Sequence, residues 1–564
     1  MRRNYPNFRN KIKHIFVLIL IAGAIWLPRR IDLNRSVIVD ENNWIQRSGG
    51  FFKALRNGDF AETYQSVHPG VTVMWLGTGG MLNAYSTYRK TNIDLEKNKS
   101  IDYYFRQVVE KTPLENLVSA RIFMSYAHLV VLLLAFWLSW RLIGWLPSLL
   151  AFLLVAFDPF HLALSRILHL DALLADLYLL AVLAVISFLF QRRFYDLLIA
   201  SFAAGLCWLT KSPGFFLLPT AALLFLIDFW SASRQQTDAP PPKMLWDYAW
   251  RFALWVLIAA SVFVLLWPAM WVNPLGVLLE ILASASGYAA EGHSSPIFFN
   301  GQIFPTGISG PRFFYFYPLT YLWRTTPVSL LGLLAAAWAF FSKQNLFSKP
   351  GVRRTFFSLL ITVLVFCLAM NLGSKKFDRY LLPVYAPLNI IAALGWTALA
   401  LWLKQRLPAL FARIVPAALL MLLIVFQAWS SLSIFPYPLA YYNPLLGGGR
   451  KAPQVMQIGW GEGLDQAAMY LNQKDQAKKL NVFSWYENGP FSFFFEGNSR
   501  KIRDEDFTES DWKALNDMDY LVIYIHQWQR NLPAELLDYI KSWQPEHSVW
   551  INNIEYARIY KLDE

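Results

Sequence analysis

The sequence predicts a polytopic α-helical membrane protein of about eleven transmembrane helices, followed by a small extracytoplasmic α/β domain. Three observations carry that prediction. The 564 residues are 55% hydrophobic and 16% aromatic against 16% charged, with a mean hydropathy of +0.32, which is too apolar for a soluble chain of this size. Apolar stretches close to the ~20 residues needed to cross a bilayer core recur through the first three quarters. After residue 434 they stop, and the pattern turns to mixed helix-like and strand-like segments.

The expected spans are residues 15–28, 117–140, 145–163, 170–190, 194–209, 212–230, 250–270, 325–342, 355–371, 380–403 and 414–434. The first and fifth are short. A cleaved signal peptide competes for the first, because a basic start precedes a short apolar core and Ala22-Gly23-Ala24. The ten spans that follow favour a retained anchor.

The net charge of +13 would suggest nucleic acid as a partner in a soluble protein; here it suggests topology instead. Basic clusters at the N-terminus, Arg141, 191–193, 231–251, 349–354 and 404–413 fall in alternate connections. By the positive-inside rule the N-terminus is expected in the cytoplasm, with the first loop and the C-terminal domain outside. Cys207 and Cys367 both lie in apolar spans, so packing is their expected role.

Two outer loops, 29–116 and 271–324, are long for a membrane bundle, which suggests a site built at the membrane surface. "NNWIQRSGGFFKALRNGDF" has the mixed character of an interfacial helix, and "WPAMWVNP" and "PRFFYFYPLTYLW" suit the headgroup level. The domain boundary is expected at 434/435. Beyond it "DQAAMYLNQ", "ESDWKALND" and "AELLDYIKSW" suggest helices. "VFSWY", "YLVIYI" and "VWINNIEYARIYKL" suggest strands, the last folding on a tight turn at Asn552-Asn553.

Charged residues kept in or beside spans are costly, so they are the first candidates for function. Those expected on the outer side are Asp40, Glu41, His68, Arg166, Asp171, Lys211, His293, Lys375, Lys376 and Arg379. Taken singly, a lysine can snorkel to water, a loop histidine can be solvated, and Asp171 can sit at a helix N-terminus for the sake of the dipole. Taken together they suit sugar transfer from a lipid-linked phosphate. That reaction asks for cations to hold the leaving phosphate and one carboxylate to take the acceptor's proton. A glycosidase would want two carboxylates on opposite faces of the sugar, which adjacent Asp40 and Glu41 do not supply.

Four motifs in order, "VDENNW", "VHPG", "SRILHLDALL" and "SKKFDRYLLPVYAPL", resemble those of the GT-C superfamily of membrane glycosyltransferases, near the protein O-mannosyltransferases and lipid A aminoarabinose transferases. The resemblance implies a GT-C bundle that moves a sugar from a polyprenyl-phosphate donor to a hydroxyl acceptor on a protein, lipid or polymer. It implies Asp40 as catalytic or acceptor-orienting carboxylate, Glu41 as its helper and Asp171 as a second acidic residue. His68, Arg166, Lys376, Arg379 and Tyr380 are implied to grip the donor phosphate. His293 falls where relatives can place a histidine that binds a divalent metal, although Val67 replaces the glutamate some of them carry nearby. The Trp-Trp-Asp-Tyr-Gly signature of oligosaccharyltransferases is not in the chain; "LWDYAW" lies in an expected cytoplasmic loop. A transporter or flippase is the competing class, but no internal repeat supports it.

Overall fold

The computed structural model describes residues 8–84, 113–234, 241–291, 295–305, 308, 313–502 and 507–562. Among these, seven helices are long and apolar enough to cross a membrane: Pro113–Ile143, Leu170–Gln191, Ser212–Ser233, Lys243–Leu265, Pro350–Leu372, Asp378–Arg406 and Phe411–Leu432. An eighth is the pair Phe316–Arg324 and Pro327–Phe341, bent by 116°. Thr326 accepts the Ser329 N–H at the second helix's start, and Pro327 follows it, so the bend is a deliberate restart. The three remaining expected spans are the shorter apolar helices Ile15–Arg29, Trp145–Ala156 and Phe194–Thr210.

The helix Leu170–Gln191 is the axis of the bundle, buried along 94% of its apolar window. Its interior is braced by a polar relay. Asp176 receives His161 Nε2 at 2.7 Å on one oxygen and His128 Nδ1 at 2.6 Å on the other. Arg29 Nη2 lies 3.1 Å from His161 Nδ1. Asp176, His128, His161 and Arg29 thereby each meet a partner from a different element, which lowers the cost of keeping them in a dry interior.

The expected loop 29–116 holds the helix Val39–Asn57, over the segment read as interfacial, followed by Val71–Ala84. The second expected loop holds the helices Ala269–Val272 and Pro274–Glu291 and the hairpin β1 (Ile297–Phe299) and β2 (Gln302–Phe304). That hairpin turns on Asn300-Gly301, both with positive φ, the combination a two-residue hairpin wants.

Beyond residue 434 lies a five-stranded sheet of β3 (Asn481–Ser484), β4 (Asn498–Lys501), β5 (Tyr520–Tyr524), β6 (His547–Ile551) and β7 (Ile554–Lys561). Their order is β4-β3-β5-β7-β6. β3 pairs parallel with β4 and β5, whereas β7 pairs antiparallel with β5 and β6. The β6–β7 connection is Asn552-Asn553, with φ of 48° and 62° as the turn requires. This sheet packs its own apolar core, separate from that of the bundle.

Candidate active site

A cavity of about 420 Å3 opens where the bundle meets the C-terminal unit. The helix Val39–Asn57 contributes Asp40 and Arg47, seven residues apart and so on one face. The segment 375–380 contributes Lys375, Lys376, Arg379 and Tyr380, and the bundle adds His68, His169 and Lys211. The C-terminal unit closes the far wall with Trp460, Glu462, Trp485, Tyr486, His526 and Arg530.

Charge organises the floor. Asp40 Oδ2 lies 3.4 Å from His169 Nε2 and 4.0 Å from Arg379 Nη2. Asp171, covered behind them, takes Lys211 Nζ at 2.6 Å and lies 3.4 Å from both Arg379 Nε and His169 Nδ1. His169 is thus a bridge between two carboxylates. Its Nδ1 also faces the Asp171 backbone N–H at 3.4 Å. On the floor the two carboxylates stand against the charges of Lys211 and Arg379, and Arg47, Lys375 and Lys376 add further positive charge to the lining.

Burial pushes the Asp40 carboxyl up, but the His169 hydrogen bond and charge, then Arg379 and Lys211, outweigh it and hold the group at about 2. His68 is taken down to about 3 by burial and by the Lys211 charge, so it meets a ligand as a neutral imidazole and offers no cation. Burial lowers Lys376 to about 8, leaving it charged at neutral pH; its Nζ donates to the Asn371 carbonyl at 2.9 Å.

Several expected site residues take other places. Glu41 is fully buried, pairs with Arg121, and accepts the Ile38 and Leu168 N–H groups at 3.1 and 2.8 Å. It braces the loop, because consecutive helical residues point ~100° apart. Arg166 lines no part of the cavity. Its guanidinium donates to the Pro28 and Ile31 carbonyls and stacks over Phe435, which ties down the chain after the first helix. Asp171 holds the cations without lining the cavity. His293 lies outside the described residues, and among those described no group of three or more His, Cys, Asp or Glu side chains is disposed for a metal.

The site also holds residues that the sequence reading passed over: His169, Arg47, Trp460 and Glu462. The last two had a signal in Gly459-Trp460-Gly461-Glu462-Gly463. All three glycines have positive φ, of 95°, 131° and 83°, and a Cβ on Gly461 would meet the Val37 carbonyl at 2.4 Å. The alternation turns Trp460 and Glu462 to the cavity and lets the Trp460 carbonyl accept from Val39 N–H at 3.2 Å, beside Asp40. Trp460 covers the Arg379 guanidinium at 4.1 Å.

A multi-pass helical bundle with a charged cavity at one end, where it meets the C-terminal unit, is the frame of a membrane protein with a polar site. Its resemblance to the GT-C membrane glycosyltransferases is borne out by sequence: residues 78–275, about a third of the chain, match the family described as dolichyl-phosphate-mannose-protein mannosyltransferase. No curated protein matches the chain. Among solved structures it is similar to ArnT from Cupriavidus metallidurans in the apo state, with 14% identity, 98% of each chain covered and a TM-score of 0.47. The same protein bound to undecaprenyl phosphate gives 13% identity, 97% and 98% coverage and a TM-score of 0.46. The Pmt1-Pmt2 complex of S. cerevisiae bound to the sugar donor gives 18% identity over 49% of this chain and 35% of that one, with a TM-score of 0.36.

Proposed function

We propose that the protein transfers a sugar from a polyprenyl-phosphate donor to a hydroxyl acceptor on the outer face of the cytoplasmic membrane. The observation that carries this reading is the convergence of Asp40 with Arg47, Lys211, Lys376 and Arg379 on one cavity. Arginine and lysine side chains suit a phosphate, whose leaving is eased when its charge is held. The acceptor oxygen forms a bond to the sugar's anomeric carbon as the carbon–oxygen bond to phosphate breaks. The electron pair leaves on the phosphate and the hydroxyl proton passes to Asp40.

A carboxylate held near 2 is a weak base, so Asp40 acts first by orienting the acceptor hydroxyl and takes the proton once the oxygen has become acidic through bond formation. His169, between Asp40 and Asp171, holds the carboxylate in place for that step. Outer sidedness is supported by the opposite end of the bundle, where Arg141, Arg192 and Arg354 gather around Asp196 and Asp228. The acceptor stands open among protein, lipid and polymer hydroxyls. A divalent metal is no part of the proposed step.

The test follows free polyprenyl phosphate released from polyprenyl-phosphate sugars by membranes holding the wild type or Asp40→Asn. The expected result is release by the wild type and a loss of at least 100-fold in the variant. A folded variant with the wild-type rate would remove Asp40 from the chemistry. Movement of a lipid or solute across vesicles with no donor consumed would move the protein to the transporter class.

A further inference from the structure

The far wall of the cavity, supplied by the C-terminal unit, takes no part in the chemistry described so far. It contains a chain of three side chains whose protons can be placed by hydrogen bonding alone. The Phe298 backbone N–H donates to Gln457 Oε1 at 3.1 Å. A backbone N–H can only donate, so this contact fixes the amide, and Gln457 Nε2 is the end that lies 2.5 Å from His526 Nε2. His526 Nε2 must accept, which puts the imidazole proton on Nδ1, 2.5 Å from the Tyr486 hydroxyl. The Tyr486 oxygen receives that proton, leaving its own hydrogen to be donated elsewhere.

Burial holds His526 well below the ordinary histidine range, with the Arg530 and Arg379 charges acting in the same direction. The neutral tautomer that the geometry needs is therefore the stable one. Tyr486 is raised by burial and, further down, by the Asp40 charge, so it stays a phenol and a donor. Its backbone is left-handed, with φ 49° and ψ 40°, unusual for a bulky residue. The turn Glu487–Phe491 that follows packs on the helix carrying Asp40. The fold thus accepts a strained backbone to set this ring in the wall facing Asp40.

We propose that Tyr486 donates a hydrogen bond to a hydroxyl of the donor's sugar, with His526 and Gln457 as positioning residues that aim it. This rests on the reading of the cavity as a site for a lipid-linked sugar. The cations Arg47, Lys211 and Lys376 serve the phosphate. An uncharged hydroxyl donor in the wall of the cavity that also holds Asp40 suits the polyhydroxylated group between phosphate and carboxylate. Recognition would then be split, with the bundle holding the lipid phosphate and the C-terminal unit reading the sugar.

The experiment measures binding of undecaprenyl phosphate and of a panel of undecaprenyl-phosphate monosaccharides to the full-length protein in nanodiscs. Tyr486→Phe keeps the ring and removes one hydroxyl. It is expected to weaken the best sugar-bearing lipid about 3- to 10-fold, the worth of one hydrogen bond, and to leave undecaprenyl phosphate unchanged. His526→Gln is expected to weaken the same ligand in the wild-type background and to add nothing in the Tyr486→Phe background, because it acts through the same hydroxyl. Equal affinity of Tyr486→Phe and wild type for every sugar-bearing lipid overturns the proposal. So does an equal loss for both lipid types, and so does a loss confined to turnover, which would place Tyr486 on the acceptor. A wild type that binds no sugar-bearing lipid better than the bare phosphate overturns the reading of the cavity, and this proposal with it.

Discussion

Lys376 and Asp40 face one cavity and respond to burial differently, and the difference sets the expected pH behaviour. Asp40 has cations and His169 beside it, so its charge survives burial and it stays ionised down to about pH 2. Burial dominates at Lys376, which therefore loses its proton as pH rises through about 8. For a phosphate-bearing donor, kcat/KM should fall above pH 8 with no acid limb from Asp40, since that parameter reports the free enzyme. Lys376→Arg should carry the alkaline limb out of the measurable range, because a guanidinium does not titrate there. A limb unmoved by that substitution would place Lys376 outside donor binding. Glu41 makes a different prediction. Replacing it with Gln leaves the buried Arg121 charge with only the Leu33, Arg35 and Ser36 carbonyls to hold it, which should cost about 3 kcal/mol, read as a lower unfolding midpoint in detergent. Asp40 and Glu41 were legible as a pair, and their division followed from helix geometry. His169 was not singled out, because a lone histidine beside an aspartate carries no spacing signal; only the fold brings it between two carboxylates.

Among the elements, the turn Asn552-Asn553 was legible because asparagine is one of the few residues that tolerates positive φ. Asn553→Val should destabilise the β6–β7 hairpin by about 1–2 kcal/mol while Asn553→Gly should not, measured by hydrogen exchange of those strands. β4 was missed because Asn498–Lys501 has no apolar alternation; it is an exposed edge whose pairing with β3 comes from tertiary context. The span expected over 325–342 is the second limb of a sharply bent pair that restarts at Thr326-Pro327, and the first limb is held at its end by Arg324, which reaches Asp378 at 2.7 Å and the Leu439 carbonyl at 2.6 Å. No local pattern announces a partner more than fifty residues away.

Across the whole molecule, the arrangement of charge predicts sidedness. In a background with Cys207 and Cys367 replaced by Ala, Lys541→Cys, on the C-terminal unit, should react in intact cells with a membrane-impermeant maleimide, and Arg192→Cys should react only after permeabilisation. The reverse pattern would invert the topology. The sequence by itself determined the membrane class, the approximate spans, the change of character near residue 434 and the carboxylates and cations worth following. Those depend on local hydropathy and on the cost of charge in lipid, both of which any short window records. Only the tertiary structure decided which charges meet. It set Glu41 and Arg166 aside as braces, put Asp171 behind the floor, and brought Tyr486, His526 and Trp460 to the cavity from beyond residue 450. Distances between side chains hundreds of residues apart follow from packing, and no composition or spacing encodes them.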